Sequence, residues 1–246
     1  INGIGRVCQI KFDPTDSSTI YACSATGGLW KSINEGNTWQ LVGTDTLPIM
    51  GTSSVCIDYT NPDIIYLSSG DPNYYNTDFG IWKSMDGGQT WALANNGIDT
   101  RMAVEILMDP TNHLHLIAAT NNGIWKTTDG GMTWQVKLAS FQCTDMMWQP
   151  VPNASILYAS SMNKFFRSVD AGDTWTEVTS GLTGMLASGT RIAVSAQHPE
   201  IVYVATIKDE GTIFKSVDSG QTFTIQYHNP AYSLTGYDTL GGGQGN

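Results

Sequence analysis

The 246-residue chain carries 12 Lys+Arg against 22 Asp+Glu, a formal net charge of -10, and only 14% of its residues are charged. Its four arginines, Arg6, Arg101, Arg167 and Arg191, form no basic stripe to neutralise phosphates, so nucleic acid and anionic membrane surfaces are not expected partners. The longest apolar run, Ile201 to Ala205, falls far short of the roughly 20 residues that cross a bilayer, and no membrane insertion is expected. An apolar content of 41%, rich in aromatic and β-branched residues, argues against disorder. The opening Ile1, without a signal-peptide pattern, and the closing GGGQGN at 241–246 suggest a processed form or a piece of something longer.

In chain order, the first predicted elements are RVCQIKF and TIYAC, joined by DPTDSS, followed by LWKSINEGNTW ending at Trp39. SSVCIDY, TNPD and IIYLS then lead to IWKSMDGGQTW ending at Trp91, and AVEILM, DPTNH and LHLIAA lead to IWKTTDGGMTW ending at Trp134. The pattern loosens around Pro152 with ILYAS before FFRSVDAGDTW at Trp175, and around Pro199 with IVYVA before IFKSVDSGQTF at Phe223. The terminal aromatics are 52, 43, 41 and 48 residues apart, yet within each copy an aromatic stands nine positions before the last one. A fixed hairpin inside a variable period predicts rigid units joined by tolerant loops. Each copy reads as four antiparallel strands, A to D, which is the composition of a β-propeller blade. The expected fold is all-β, one propeller region with blades at 5–45, 51–95, 101–138, 142–179 and 190–227, and with 228–246 beginning a further blade or truncated loop.

The recurring hairpin has an internal chemistry. Asn34, Asp86, Asp129, Asp170 and Asp218 can each accept backbone N–H bonds within the turn. Gly36, Gly88, Gly131, Gly172 and Gly220, two positions later, suit a positive φ. Thr and an aromatic then open strand D.

These five copies resemble the Asp-box, or BNR, repeat of sialidases, xyloglucan-hydrolysing glycosidases, the sortilin receptor ectodomain and a photosystem II assembly factor. The array also resembles propellers of large bacterial surface proteins, including those exported by the type IX system. The resemblance implies that the box acids are structural turns between strands C and D, away from the ligand face, and that further blades lie outside the chain. It also implies an extracellular or cell-surface setting, with secretion machinery contacting a region beyond this chain.

Ligands are then expected on the face formed by the B–C and D–A loops. From the strand-B aromatic, or Leu116 in the third copy, to the strand-C aromatic the spacing is 9, 16, 9, 8 and 11 residues, so blade two carries an insertion. That insertion, Gly70 to Gly80, holds Asp71, Tyr74, Tyr75 and Asp78, a set suited to stacking on sugar rings and accepting from sugar hydroxyls; a surface loop packing its own tyrosines is the plainer alternative. Arg6, Arg101 and Arg191 precede strand A of their blades, where three guanidiniums could grip a carboxylate as a sialidase triad does. The tyrosine nucleophile and glutamate of that family have no matching motif here, and hydrogen bonding to a neighbouring blade is the plainer role. Xyloglucan hydrolases resemble this sequence around YACSATGGLWKS but carry an Asp at the position of Ala25, so the two-carboxylate scheme lacks one member.

Cys8 and Cys56 occupy matching places six residues before their prolines, and a Phe12–Thr19 pairing would set Cys8 opposite Cys23, close enough for a disulfide. Buried thiols are the alternative for all four cysteines, Cys143 included. His113 and His115, at alternating positions, could share a metal, although no third ligand is evident. Asn153-Ala154-Ser155 is a glycosylation triplet, and Asp45-Thr46-Leu47 and Asp238-Thr239-Leu240 look like bacterial O-glycosylation motifs. No metal or cofactor is expected. The reading is a secreted or cell-surface propeller that binds or displays glycans or proteins without catalysis; the alternative is a glycoside hydrolase whose remaining catalytic residues lie outside this chain.

Overall fold

The computed structural model describes residues 6–71, 80–98, 103–140, 142–182, 186, 190–206 and 211–228. The chain divides into two compact units, Ile1–Ala139 and Ser140–Asn246. The first contains three antiparallel four-stranded sheets, each meandering in sequence order. They are β1 (Val7–Phe12), β2 (Ile20–Ser24), β3 (Gly28–Ser32) and β4 (Gln40–Leu41); β5 (Thr52–Ile57), β6 (Ile65–Ser69), β7 (Ile81–Ser84) and β8 (Ala92–Leu93); and β9 (Ala103–Asp109), β10 (Asn112–Thr120), β11 (Gly123–Thr127) and β12 (Gln135–Ala139). The second unit contains β13 (Asp145–Trp148), β14 (Leu157–Ser160), β15 (Phe165–Ser168) and β16 (Thr176–Glu177), then β17 (Arg191–Val194), β18 (Val202–Thr206), β19 (Thr212–Ser216) and β20 (Thr224–His228). Apart from one short 3-10 turn at Thr44–Thr46, the described regular structure is all strand. These are five β-propeller blades.

Successive blades within a unit pack face to face on apolar cores. Tyr21, Leu29, Val55, Ile65 and Leu67 close the first junction, and Tyr66, Ile81, Ile106, Leu116 and Trp134 the second. In the second unit Tyr158, Phe165, Ile192, Val202, Phe214 and Phe223 do the same. Burying a side chain of this size stabilises by roughly 1.5–3 kcal/mol, so the junctions rather than the exposed outer strands, only two residues long in β4, β8 and β16, hold the units together.

Two polar devices, invisible in the turn motif, repeat at these junctions. On the inner strands, a side chain of one blade accepts the backbone N–H of the next. Gln9 Oε1 takes Val55 N at 2.7 Å, Ser54 Oγ takes Ile106 N at 3.0 Å, and Asp145 Oδ2 takes Ile192 N at 2.7 Å. Further out, in blades two and four, a strand-B tyrosine and the strand-C cation opposite it grip a turn carbonyl of the following blade. Tyr66 Oη and Lys83 Nζ donate to Gly130 O at 3.0 and 2.9 Å, and Tyr158 Oη and Arg167 Nε donate to Ser219 O at 3.2 and 2.7 Å. Buried carbonyls need such donors, and a charged donor strengthens the bond.

The observed register corrects three expectations. Phe12 pairs with Ile20 rather than Thr19, and a bulge between Val7 and Gln9 takes Cys8 out of the regular ladder. Blade two has the same bulge between Thr52 and Ser54, with Ile57 opposite Ile65. Cys8 is therefore equivalent to Ser53 and Cys56 to Lys11, because the two A–B turns are equally long but Pro14 stands second in its turn and Pro62 fifth, so spacing to the proline does not track register. Likewise Leu116 faces Thr127 as Ile20 faces Ser32, so Ile117, not Leu116, occupies the place of Tyr21 and Tyr66.

Candidate functional site

Four backbone segments converge at the base of the blade-two insertion. The Ala25 N–H donates to Arg6 O at 3.0 Å, and Gly70 N donates to Gly51 O at 2.7 Å. A Cβ on Gly51 would collide with the carbonyl of Ala25, so only glycine lets these segments approach so closely. The insertion closes on Ser69, whose N–H donates to Gly80 O at 3.0 Å and whose Oγ accepts from Gly80 N at 3.0 Å and Trp82 Nε1 at 3.1 Å. Its feet are thus fixed on a packed sheet.

On this base the Arg6 guanidinium donates to the Asp71 carboxylate, joining the entry to blade one with the start of the insertion. The Arg6 side chain is 36% exposed and that of Asp71 15%. A half-exposed guanidinium oriented by a carboxylate retains donors suited to a hydroxyl or carboxylate of a ligand. The Cys8 thiol beside it is pushed up by burial, partly countered by Arg6, so it is not a ready nucleophile. Tyr74, Tyr75, Asp78 and Arg101 lie outside the described residues.

Arg191 does not sit as Arg6 does. It opens β17 in the place that Gln9 holds in β1, opposite Ala205, and its Nη1 donates to the carbonyls of Thr144 at 3.0 Å and Thr190 at 3.1 Å. Ala25, 5% exposed, presents only a methyl group.

The recurring acids are engaged within their own turns. Asp86 Oδ1 accepts from Ser84 Oγ at 2.8 Å and Thr90 N at 2.9 Å, and Oδ2 accepts from Thr90 Oγ1 at 2.6 Å. Asp129, Asp170 and Asp218 repeat this set with Thr133, Thr174 and Thr222. Asn34 keeps the geometry by accepting from Thr38 N at 2.8 Å while its Nδ2 donates to Thr38 Oγ1 at 2.8 Å. The Thr90 hydroxyl and N–H hold Asp86 at about 2. Burial pushes Asp129 and Asp218 upward, but the Thr and Ser donors outweigh it and leave both at about 2. Such acids stay ionised and are poorly suited to donate a proton.

The A–B turns hold a second acid that the sequence motif did not isolate. Asp13, Asp58 and Asp109 each accept from the N–H and hydroxyl of the Thr two residues later, at 2.7–2.8 Å. Asp58 also meets His113 Nδ1 at 2.8 Å, while His115 lies by Asn112 at 3.2 Å. The two histidines therefore serve different partners, and the described residues contain no group of three or more potential metal ligands. All four cysteines are free thiols; burial pushes Cys56 up to about 12 and raises Cys23 further. No described helix is long and apolar enough to cross a membrane.

No protein-family model matches the sequence. The chain is 26% identical over 251 residues to a xyloglucanase of Paenibacillus sp, an alignment covering 96% of this chain and 22% of that protein. It thus spans about a fifth of the length of that curated relative. Among solved structures it is similar to a GH74 enzyme of Niastella koreensis (TM-score 0.70, 22% identity, 89% of this chain and 38% of that one) and to an ancestral GH74 enzyme (0.72, 19%, 94% and 34%). It is also similar to YCF48 from Cyanidioschyzon merolae (0.62, 15%, 92% and 73%). These likenesses identify the class as a β-propeller, with five blades that match part of longer GH74 chains.

Proposed function

We propose that this chain is part of an extracellular β-propeller of the Asp-box type that binds glycan through the base of the blade-two insertion and does not itself cleave it. The observation that carries the reading is the Arg6–Asp71 pair at that base, set beside Ala25. The similarity to a xyloglucanase over nearly the whole chain supports a sugar ligand. Xyloglucan hydrolases resembling the stretch around Ala25 carry a carboxylate there, and a methyl group cannot perform acid–base work. Export by a type IX route, through a region outside the chain, fits the same reading.

The second reading is a glycoside hydrolase whose other catalytic residues lie elsewhere in the parent protein, and the same similarity favours it. A glycan array probed with the chain and with Arg6→Ala tests the binding site. Retention of a plant β-glucan that falls at least tenfold in the variant supports it, whereas equal retention refutes it. Reducing-end release from that glycan by the full-length parent protein, lost on Asp71→Ala, would favour the hydrolase.

A further inference from the structure

A second groove lies on the outer edge of blades four and five, far in sequence from the insertion. It is a cavity of about 380 Å³ lined by, among others, Arg167, Val169, Thr174, Thr176, Ser180 and Gln221. Its walls are strands C and D of blade four with the turn that joins them and the segment that follows strand D, closed on one side by Gln221 from the C–D turn of blade five. Arg167 is fixed in place, since its Nε donates to Ser219 O at 2.7 Å. Glu177, also on the wall, is held by Lys164 Nζ at 2.9 Å.

The chain contains its own comparison for this groove. Blades two and three meet through the same register, with Lys83 opposite Ala92 where Arg167 is opposite Thr176. Trp134 N donates to Asn96 O there as Phe223 N donates to Ser180 O here. At three lining positions the sister junction has Ala92, Leu93 and Met132 where this groove has Thr176, Glu177 and Gln221, while Asn95 and Asn96 there match Thr179 and Ser180 here. Lysine suffices for the carbonyl clasp, as Lys83 Nζ to Gly130 O at 2.9 Å demonstrates. Arginine, which lines the groove, makes the same clasp through Nε and has in its two Nη groups a planar pair able to meet a carboxylate bidentately, whereas an ammonium is a point charge without that fork. With the Glu177 charge offset by Lys164, the hydroxyls and amide around an oriented guanidinium match a sugar ring whose carboxylate seats on Arg167.

From this we infer that the blade-four/blade-five groove is a binding site for hexuronate residues of an acidic glycan, with Arg167 receiving the carboxylate and Thr176 and Gln221 the ring hydroxyls. The site is separate from Arg6 and Asp71 and does not depend on what they bind.

The repeat supplies substitutions that the fold already tolerates. Arg167→Lys, and the pair Thr176→Ala with Gln221→Met, install the sister residues; unchanged thermal unfolding shows that each variant folds. Digalacturonic acid is titrated into the whole chain, followed by NMR or calorimetry, with cellobiose as the neutral control. The site predicts saturable digalacturonate binding, at least tenfold tighter than cellobiose, weakened at least fivefold by Arg167→Lys and by the paired variant, and unaffected by Arg6→Ala. Absence of digalacturonate binding, equal binding of cellobiose, or binding that survives both groove variants overturns it.

Discussion

Replacing Asp170 tests whether the recurring acids are architectural. Its Oδ1 accepts from Ser168 Oγ at 2.8 Å and Thr174 N at 2.9 Å, and its Oδ2 from Thr174 Oγ1 at 2.6 Å. At about 1 kcal/mol net per hydrogen bond, with partial replacement by water at this exposed turn, Asp170→Ala should cost about 2 kcal/mol. Asp170→Asn should cost about 1 kcal/mol or less, because Asn34 meets the same hydroxyl by donating from Nδ2 and the same N–H by accepting at Oδ1. Urea denaturation, with the transition of the Ser140–Asn246 unit followed by Trp175 fluorescence, measures both. An alanine variant within 0.5 kcal/mol of the parent, or an asparagine variant as damaged as alanine, would refute the turn account.

Acid should expose the same chemistry. Asp86, Asp129 and Asp218 are held at about 2, below the ordinary 3.8, so their contribution is complete above about 3.8 and is lost as pH falls toward 2; a denaturation midpoint flat between pH 5 and 8 in these residues' contribution, then falling below pH 4 less steeply in the triple Asn variant, is expected from pH-dependent unfolding. Gly181→Ala should destabilise by about 3 kcal/mol or more, since Gly181 has φ +79 and a Cβ there would overlap the Phe223 carbonyl; chemical denaturation or loss of soluble protein reads this out. Tyr66→Phe should cost about 1 kcal/mol, because Lys83 still serves Gly130 O, whereas Tyr66→Phe with Lys83→Met strands that carbonyl and should cost about 3 kcal/mol in the same assay.

The blades were legible because turn chemistry is local: an acid, a glycine two positions on and a threonine four positions on close their hydrogen bonds within one hairpin. Register was less so. Cys8 and Cys56 match when counted from proline, yet the strand pairing places Cys8 with Ser53, because Pro14 and Pro62 occupy different positions within A–B turns of equal length. The two carbonyl clasps were not evident, although Tyr66/Lys83 and Tyr158/Arg167, which form them, belong to a recurring cross-strand pair that also includes Tyr21/Lys31 and Tyr203/Lys215, a signal available to sequence. Arg6 and Asp71 were singled out separately, but their contact spans 65 positions and depends on glycine-tight packing at Gly51. The outer groove drew no attention because its meaning lies in differences between repeats, Ala92 against Thr176 and Met132 against Gln221, rather than in what the repeats share.

Xyloglucan offered to the parent chain, to Asp71→Asn and to Asp86→Asn, with retention in affinity gels and reducing ends scored together, addresses the central claim most directly. Retention by the parent and by Asp86→Asn, its loss in Asp71→Asn, and no released sugar are the predicted results. Release of sugar by the parent, or loss of retention on changing Asp86 alone in a folded protein, would contradict the account.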